Sequence, residues 1–120
     1  MFRHLFCTLL LFAPAVHATP LCGESPLRRG GCFEVRGRLE AGNGNPSWRI
    51  RPAGSHRVLG VLDSLRSPAS SENGGLPSEV SRAALQSQLP NNAVLARFTV
   101  CPLSRDIPGH MRAVCIAGMK

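Results

Sequence analysis

The chain has 120 residues, with 14 Lys or Arg against 7 Asp or Glu, which gives a formal net charge of +7 at pH 7. About 43% of the residues are hydrophobic, so the chain can bury a modest core. The length excludes an array of several domains, and the charge favours anionic partners over cationic ones.

Residues 1–18 have the pattern of a secretory signal peptide. A basic start that contains Arg3 precedes an apolar run from Leu5 to Ala13, and Ala18 ends a Val-His-Ala cleavage signal. The apolar run is too short for a lasting membrane anchor. We expect cleavage after Ala18 and a periplasmic or secreted protein. No later stretch is long and apolar enough to form a transmembrane segment.

Cleavage changes the number of cysteines from five to four, because Cys7 lies in the leader. The four that remain are Cys22, Cys32, Cys101 and Cys115. In an exported domain of this size, four cysteines predict two disulfides, and their wide spacing disfavours a zinc site. We therefore expect no metal, no cofactor and no thiol chemistry.

Residues 19–31 are rich in proline and glycine and predict an irregular arm, followed by a single β-rich domain over 32–120. From Phe33 to Ala41, apolar and charged residues alternate, which is typical of a half-buried strand. Gly37 occupies an inward position in this strand and indicates a bend or a bulge.

The next segment predicts two further strands. The sequence Gly-Asn-Gly-Asn-Pro at 42–46 favours a hairpin turn. A second strand is expected over 47–52 and a third over 56–62, the latter apolar on both faces and therefore central. Residues 33–62 are thus predicted to form a three-stranded antiparallel meander.

A long mobile loop is predicted over 63–77, since this segment contains little that could pack. A helix is predicted over 79–88, with Ser78 as its capping residue. Leu85 and Leu89 are expected to extend the apolar stripe of this helix.

Two strands, over 93–102 and 111–117, complete the pattern. Three strands, a helix and two strands are the element order of an OB-fold, so we predict a mainly β, OB-fold-like five-stranded Greek-key barrel. An inward glycine in the first strand fits this fold, because that strand must bend. The alternative is an open antiparallel sheet or a sandwich with one helix packed on it.

The disulfide connectivity has two interpretations. Folding the last two strands around Pro108 places Cys101 opposite Cys115, within disulfide reach, and leaves Cys22 to pair with Cys32. We favour this local pattern on the hairpin register. The competing pattern joins Cys32 to Cys101 and Cys22 to Cys115, and links the first strand to the fourth.

Several short motifs occur together along the predicted domain. They are Cys-Phe-Glu-Val-Arg-Gly-Arg-Leu at 32–39, Asn-Gly-Asn-Pro at 43–46, Leu-Gly-Val at 59–61, Val-Cys-Pro at 100–102 and Pro-Gly-His-Met at 108–111. In combination they resemble a family of small secreted bacterial proteins whose function is not established. The resemblance implies a small exported β-rich domain and no activity, ligand or catalytic residue.

Four arginines fall on one polar face of the first two strands: Arg36, Arg38, Arg49 and Arg51. Registering the hairpin around Gly44 predicts a Glu40–Arg49 ion pair, and it places Arg38 beside Arg51. Two like charges side by side are unfavourable unless an anion or Glu34 lies between them. This face is either a site for an anion or an acidic partner, or a solvated outer surface.

No catalytic motif is present. The two histidines after the leader are His56 and His110, and a triad drawn from His56, Asp63 and any serine would be a coincidence of composition. Our main hypothesis is a non-enzymatic binding module for an anionic envelope component, and nucleic acid is an improbable ligand for an exported protein. The alternative is a structural or inhibitory, immunity-type protein that binds one protein partner; a hydrolase is a distant third.

Overall fold

The computed structural model describes residues 20–66 and 76–120. The predicted leader at 1–18, with its cleavage position at Ala18, lies outside the described residues, as does most of the predicted loop at 63–77. Across the part of the chain that is described, no helix has the length and hydropathy needed to cross a bilayer.

Five strands close into a barrel. The elements are β1 (Phe33–Ala41), β2 (Trp48–Pro52), β3 (Leu59–Val61), α1 (Ser78–Leu85), β4 (Val94–Pro102) and β5 (Arg112–Met119). The strands neighbour one another in the order β1-β2-β3-β5-β4, with β3 parallel to β5 and the other pairs antiparallel. The predicted OB-fold-like barrel is therefore confirmed, and the open-sheet alternative is wrong because the five pairings form a closed ring in which every strand has two neighbours.

Gly37 lies where β1 is shared between β2 and β4. It is opposite Pro52 on β2 and Ala96 on β4. A Cβ atom at Gly37 would lie 2.5 Å from the backbone oxygen of Arg51 and 3.0 Å from the Cα of Pro52. Only a residue without a side chain lets the β2 backbone approach this closely.

The barrel interior is an apolar core to which every strand contributes. Its most buried members include Leu39, Ile50, Val61, Phe98 and Val114. Leu76 and Val80 add to the same cluster from the residues that lead into α1 and from its first turn. Leu76 is only 6% exposed, so the prediction that residues 63–77 contain little that packs is wrong at this residue.

Helix α1 is shorter than predicted. It ends at Leu85, whose side chain is 81% exposed, so the expected extension of the apolar stripe through Leu85 and Leu89 is wrong. Ser87 explains the early end, because its hydroxyl donates to the Ala93 carbonyl at 2.5 Å and accepts from the Leu89 amide at 3.1 Å. Such local bonds compete with a helix.

The start of α1 also differs from the prediction. Ser78 is the first helical residue and not the cap, and Pro77 occupies the capping position without a side-chain hydrogen bond. The Pro77 carbonyl accepts the first helical hydrogen bond, from the Ser81 amide at 2.9 Å, as the carbonyl of a capping residue does. Glu79 lies in the first turn, where its charge opposes the helix dipole favourably.

The two disulfides join Cys22 to Cys115 and Cys32 to Cys101, with Cα–Cα distances of 5.6 and 4.1 Å. Two disulfides were predicted, but the favoured pairing, Cys22 with Cys32 and Cys101 with Cys115, is wrong, and the competing pattern is the one formed. Cys101 and Cys115 are opposite one another as expected. However, the β1–β4 register, continued by one residue, also places Cys32 opposite Cys101.

The arm before β1 is held against the barrel. It contains a single 3₁₀ turn at Cys22–Glu24. The Arg29 amide donates to the Pro102 carbonyl at 2.8 Å, and the buried Ser25 hydroxyl donates to the backbone oxygen of Ser64. Together with the Cys22–Cys115 cross-link, these bonds fix the arm against β4, β5 and the segment that follows β3.

Candidate functional site

The β1–β2 hairpin has the predicted register. Arg38 is opposite Arg51 and Glu40 is opposite Arg49. The side chains of Glu40 and Arg49 do not pair, although their backbones are opposite one another. The Arg49 Nε instead donates a hydrogen bond to the Pro46 carbonyl at 3.2 Å. The expected Glu40–Arg49 ion pair is therefore wrong, and Arg49 binds the hairpin turn.

Glu40 lies between the two opposed arginines. Its carboxylate accepts a hydrogen bond from Arg51 Nε at 2.5 Å and another from Arg38 Nε at 3.1 Å. The hydrogen bond from Arg51 is the main cause that holds the pKa of Glu40 below its ordinary value, and the Arg38 bond acts in the same direction against desolvation. The anion that separates the like charges is Glu40, and not Glu34.

An open groove of about 620 Å³ lies on the outer surface beside this pair. Five cationic side chains line it: Arg36, Arg38, Arg51, Arg97 and Lys120. Three of the four arginines predicted as a candidate face are thus brought together, and Arg49 is not among the residues that line the groove.

Three of the groove's cations form a row, which we call the basic row: Arg36 on β1, Arg97 on β4 and Lys120, which directly follows β5. Arg36 is opposite Arg97 in the β1–β4 ladder. Arg97 and Lys120 exchange backbone hydrogen bonds of 2.8 and 3.1 Å, which extends the β4–β5 ladder. Directly opposed residues share one face of a sheet and have Cα atoms about 5 Å apart.

The charges of the basic row are unequally compensated. Lys120 Nζ is 3.6 Å from Glu34, with both side chains largely exposed. Within residues 20–66 and 76–120, neither Arg36 nor Arg97 has an ion-pair partner. Two adjacent guanidinium groups without a counter-charge offer two forks of donors to an incoming anion.

Arg97 and Lys120 were missed by the sequence analysis. The alternation in β4 puts Arg97 on the outward face, opposite to the face of the buried Phe98. The missing step was the β1–β4 pairing, which brings Arg97 beside Arg36 and which a closed OB-fold barrel requires.

The remaining lining of the groove is apolar. Leu95 is 66% exposed and lies opposite Arg38 in the β1–β4 ladder. Ala53 and Ala96 line the groove as well, and the Ala53 amide donates to the Arg36 carbonyl at 2.9 Å. The groove therefore combines guanidinium groups with a hydrophobic floor.

A second, smaller pocket brings the two histidines together. His56, before β3, and His110, before β5, line a pocket of about 190 Å³ with Met111. Among the described residues, neither Asp63 nor a serine lines this pocket. The arrangement needed for the predicted triad is not assembled there.

The sulfur atoms of Cys22, Cys101 and Cys115 lie within 4.8 Å of one another. All three belong to disulfides, as does Cys32. An oxidised sulfur lacks the thiolate that metal ligation and nucleophilic attack require, so this cluster is a structural cross-link.

Comparisons with known proteins return no match: no family model, no curated protein and no solved structure is similar to this chain. The charge and geometry of the groove are therefore the basis on which a function can be proposed.

Proposed function

We propose that this protein is an exported, non-enzymatic binding module that holds an anionic component of the cell envelope in the groove. The observation that carries the proposal is the Arg36–Arg97 pair, two adjacent arginines in a concave surface that have no ion-pair partner among the described residues. Like charges placed side by side are unfavourable alone, and an anion between them removes that cost.

The proposed location rests on the signal pattern at 1–18 and on the two disulfides. Disulfides persist in oxidising compartments, which include the periplasm and the extracellular space. The anions available there are lipid phosphates, acidic polysaccharides and acidic protein surfaces. Nucleic acid is not among the abundant ones, so we do not propose it as the ligand.

The groove attracts anions more strongly at the basic row than at the hairpin. Arg38 and Arg51 share one carboxylate, that of Glu40, so their combined charge is half neutralised. Arg36 and Arg97 form no ion pair with any residue in the described ranges. Because the groove is open to solvent, its attraction for anions falls as the salt concentration rises.

The test is retention of the protein on heparin or on anionic vesicles, measured as the salt concentration that elutes it. The variant Arg36→Gln/Arg97→Gln removes the uncompensated pair. A matched control, Arg82→Gln/Arg105→Gln, removes the same charge from exposed arginines of α1 and of the β4–β5 loop.

We expect the groove variant to elute at clearly lower salt than the control, which should elute close to the unmodified protein. Equal shifts for both variants would mean that net charge alone drives retention, and would overturn the proposal. Capture of one stoichiometric protein that survives high salt, by both variants alike, would favour the inhibitory alternative.

A further inference from the structure

The groove has two properties that a site for a small anion does not need: its volume of about 620 Å³ and its exposed leucine, Leu95. We infer that its ligand is a single amphipathic phosphate ester, with the phosphoryl group between Arg36 and Arg97 and the apolar body on Leu95. This inference rests on the proposed function and names the ligand class of the same groove.

The phosphoryl end fits the uncompensated pair. Arg36 and Arg97 lie opposite one another on adjacent strands and both line the groove, so both guanidinium groups are available to one ligand. A phosphate monoester presents three acceptor oxygens and a charge of about −1.5 to −2 at pH 7, which matches two positive charges. A carboxylate offers one charge and one plane of acceptors, and so satisfies only one of the two forks.

The apolar end fits the floor of the groove. Leu95 is two residues from Arg97 on β4, which puts it on the same outer face at a distance of about 7 Å along the strand. Ala53 and Ala96 line the groove with it. One molecule can therefore contact the arginine pair and the leucine at once, and the groove's volume lies within the range of small-molecule sites.

A long polyanion fits less well. Such a ligand needs free cations along its length, but the groove's next cations are Arg38, directly opposite Leu95, and Arg51 on β2, and these two already share the carboxylate of Glu40. That carboxylate would repel the next anionic group of a polymer. The free positive charge is thus confined to one end of the groove, which suits a ligand with one charged end.

The test uses the purified, oxidised protein and calorimetric titration with three probes: dihexanoyl phosphatidic acid below its micelle concentration, glycerol 3-phosphate, and a heparin hexasaccharide. We expect the phosphatidic acid to bind at least about tenfold more tightly than glycerol 3-phosphate, a ratio that burial of about two methylene groups provides. Arg36→Gln/Arg97→Gln should weaken the binding of both esters at least about tenfold.

Leu95→Thr separates the two parts of the site. Leu95 is exposed and threonine suits a strand, so the variant should fold, which an unchanged circular dichroism spectrum would verify. It should bind glycerol 3-phosphate as before and lose most of the preference for the acylated ester.

Equal affinities for the two esters, or a full preference retained by Leu95→Thr, would overturn the inference. If only the hexasaccharide binds, and it does so through Arg36 and Arg97, the inference fails while the proposed function stands. If none of the three probes binds, both fail.

Discussion

Glu40 offers a substitution for which stability and anion binding should change in opposite directions. Glu40→Gln keeps the shape of the side chain but removes the charge shared by Arg38 and Arg51. Exposed ion pairs contribute about 0.2–1 kcal/mol each, and the variant leaves two arginines directly opposed. We expect the free energy of unfolding at pH 7 to fall by about 1 kcal/mol, or about 4–8 °C in Tm for a domain near 100 residues.

The pH dependence of this difference follows from the lowered pKa of Glu40. In the unfolded chain the carboxyl titrates near its ordinary value of 4.5, whereas the Arg51 hydrogen bond keeps it ionised to lower pH in the folded protein. The contribution of Glu40 is therefore complete above the unfolded pKa, and it is lost as the pH falls through the folded pKa. Melting curves of the two proteins should differ at pH 7 and converge in acid.

The affinity for anions should increase in the same variant. Without the carboxylate, Arg38 and Arg51 present their full charge to the groove, and removing one nearby negative charge is worth about 1 kcal/mol at contact distances in water. Glu40→Gln should therefore bind heparin up to about fivefold more tightly. A variant that is less stable but binds no better, or whose stability difference persists unchanged at pH 2, would refute this account of Glu40.

Two further predictions concern the fold. At least one arginine separates each cysteine from the next along the chain. Trypsin therefore puts the four cysteines on four different peptides, and a non-reducing digest should report the connectivity directly. The expected linked peptides carry Cys22 with Cys115 and Cys32 with Cys101; a Cys22–Cys32 peptide would contradict the fold. Gly37→Ala should destabilise the protein by about 2 kcal/mol or more, because its Cβ would meet the Arg51 carbonyl. Gly118→Ala, where nothing lies within 4 Å of the added Cβ, should have little effect on stability. Similar losses of stability for both variants would show that the close contact of Gly37 with Arg51 is not the cause.

Local sequence patterns predicted the β1–β2 hairpin well. The alternation of apolar and charged residues predicted β1 with its observed bounds, 33–41, because one face of that strand is buried and the other is solvated. The β1–β2 register followed from the symmetry of the turn around Gly44. The third strand was predicted over 56–62 but covers only Leu59–Val61, since a segment that is apolar on both faces contains no signal for its ends.

One disulfide that was not the favoured one and one arginine pair that was not predicted depend on a single non-local pairing. The Cys32–Cys101 bond and the Arg36–Arg97 pair both arise from the β1–β4 ladder, which joins residues about 60 positions apart. No turn fixes the register of such a pair, so local patterns could not choose it. The predicted barrel nevertheless required the ladder, and that requirement favours the non-local disulfide over the hairpin one.

The central claim is that Arg36 and Arg97 together bind an anion. The most direct measurement is a titration with glycerol 3-phosphate, followed through the side-chain Nε–Hε resonances of the arginines by NMR. We predict that the signals of Arg36 and Arg97 shift and saturate together while those of Arg82 and Arg105 stay in place. Shifts spread evenly over all exposed arginines, or no shift at Arg36 and Arg97, would contradict the claim.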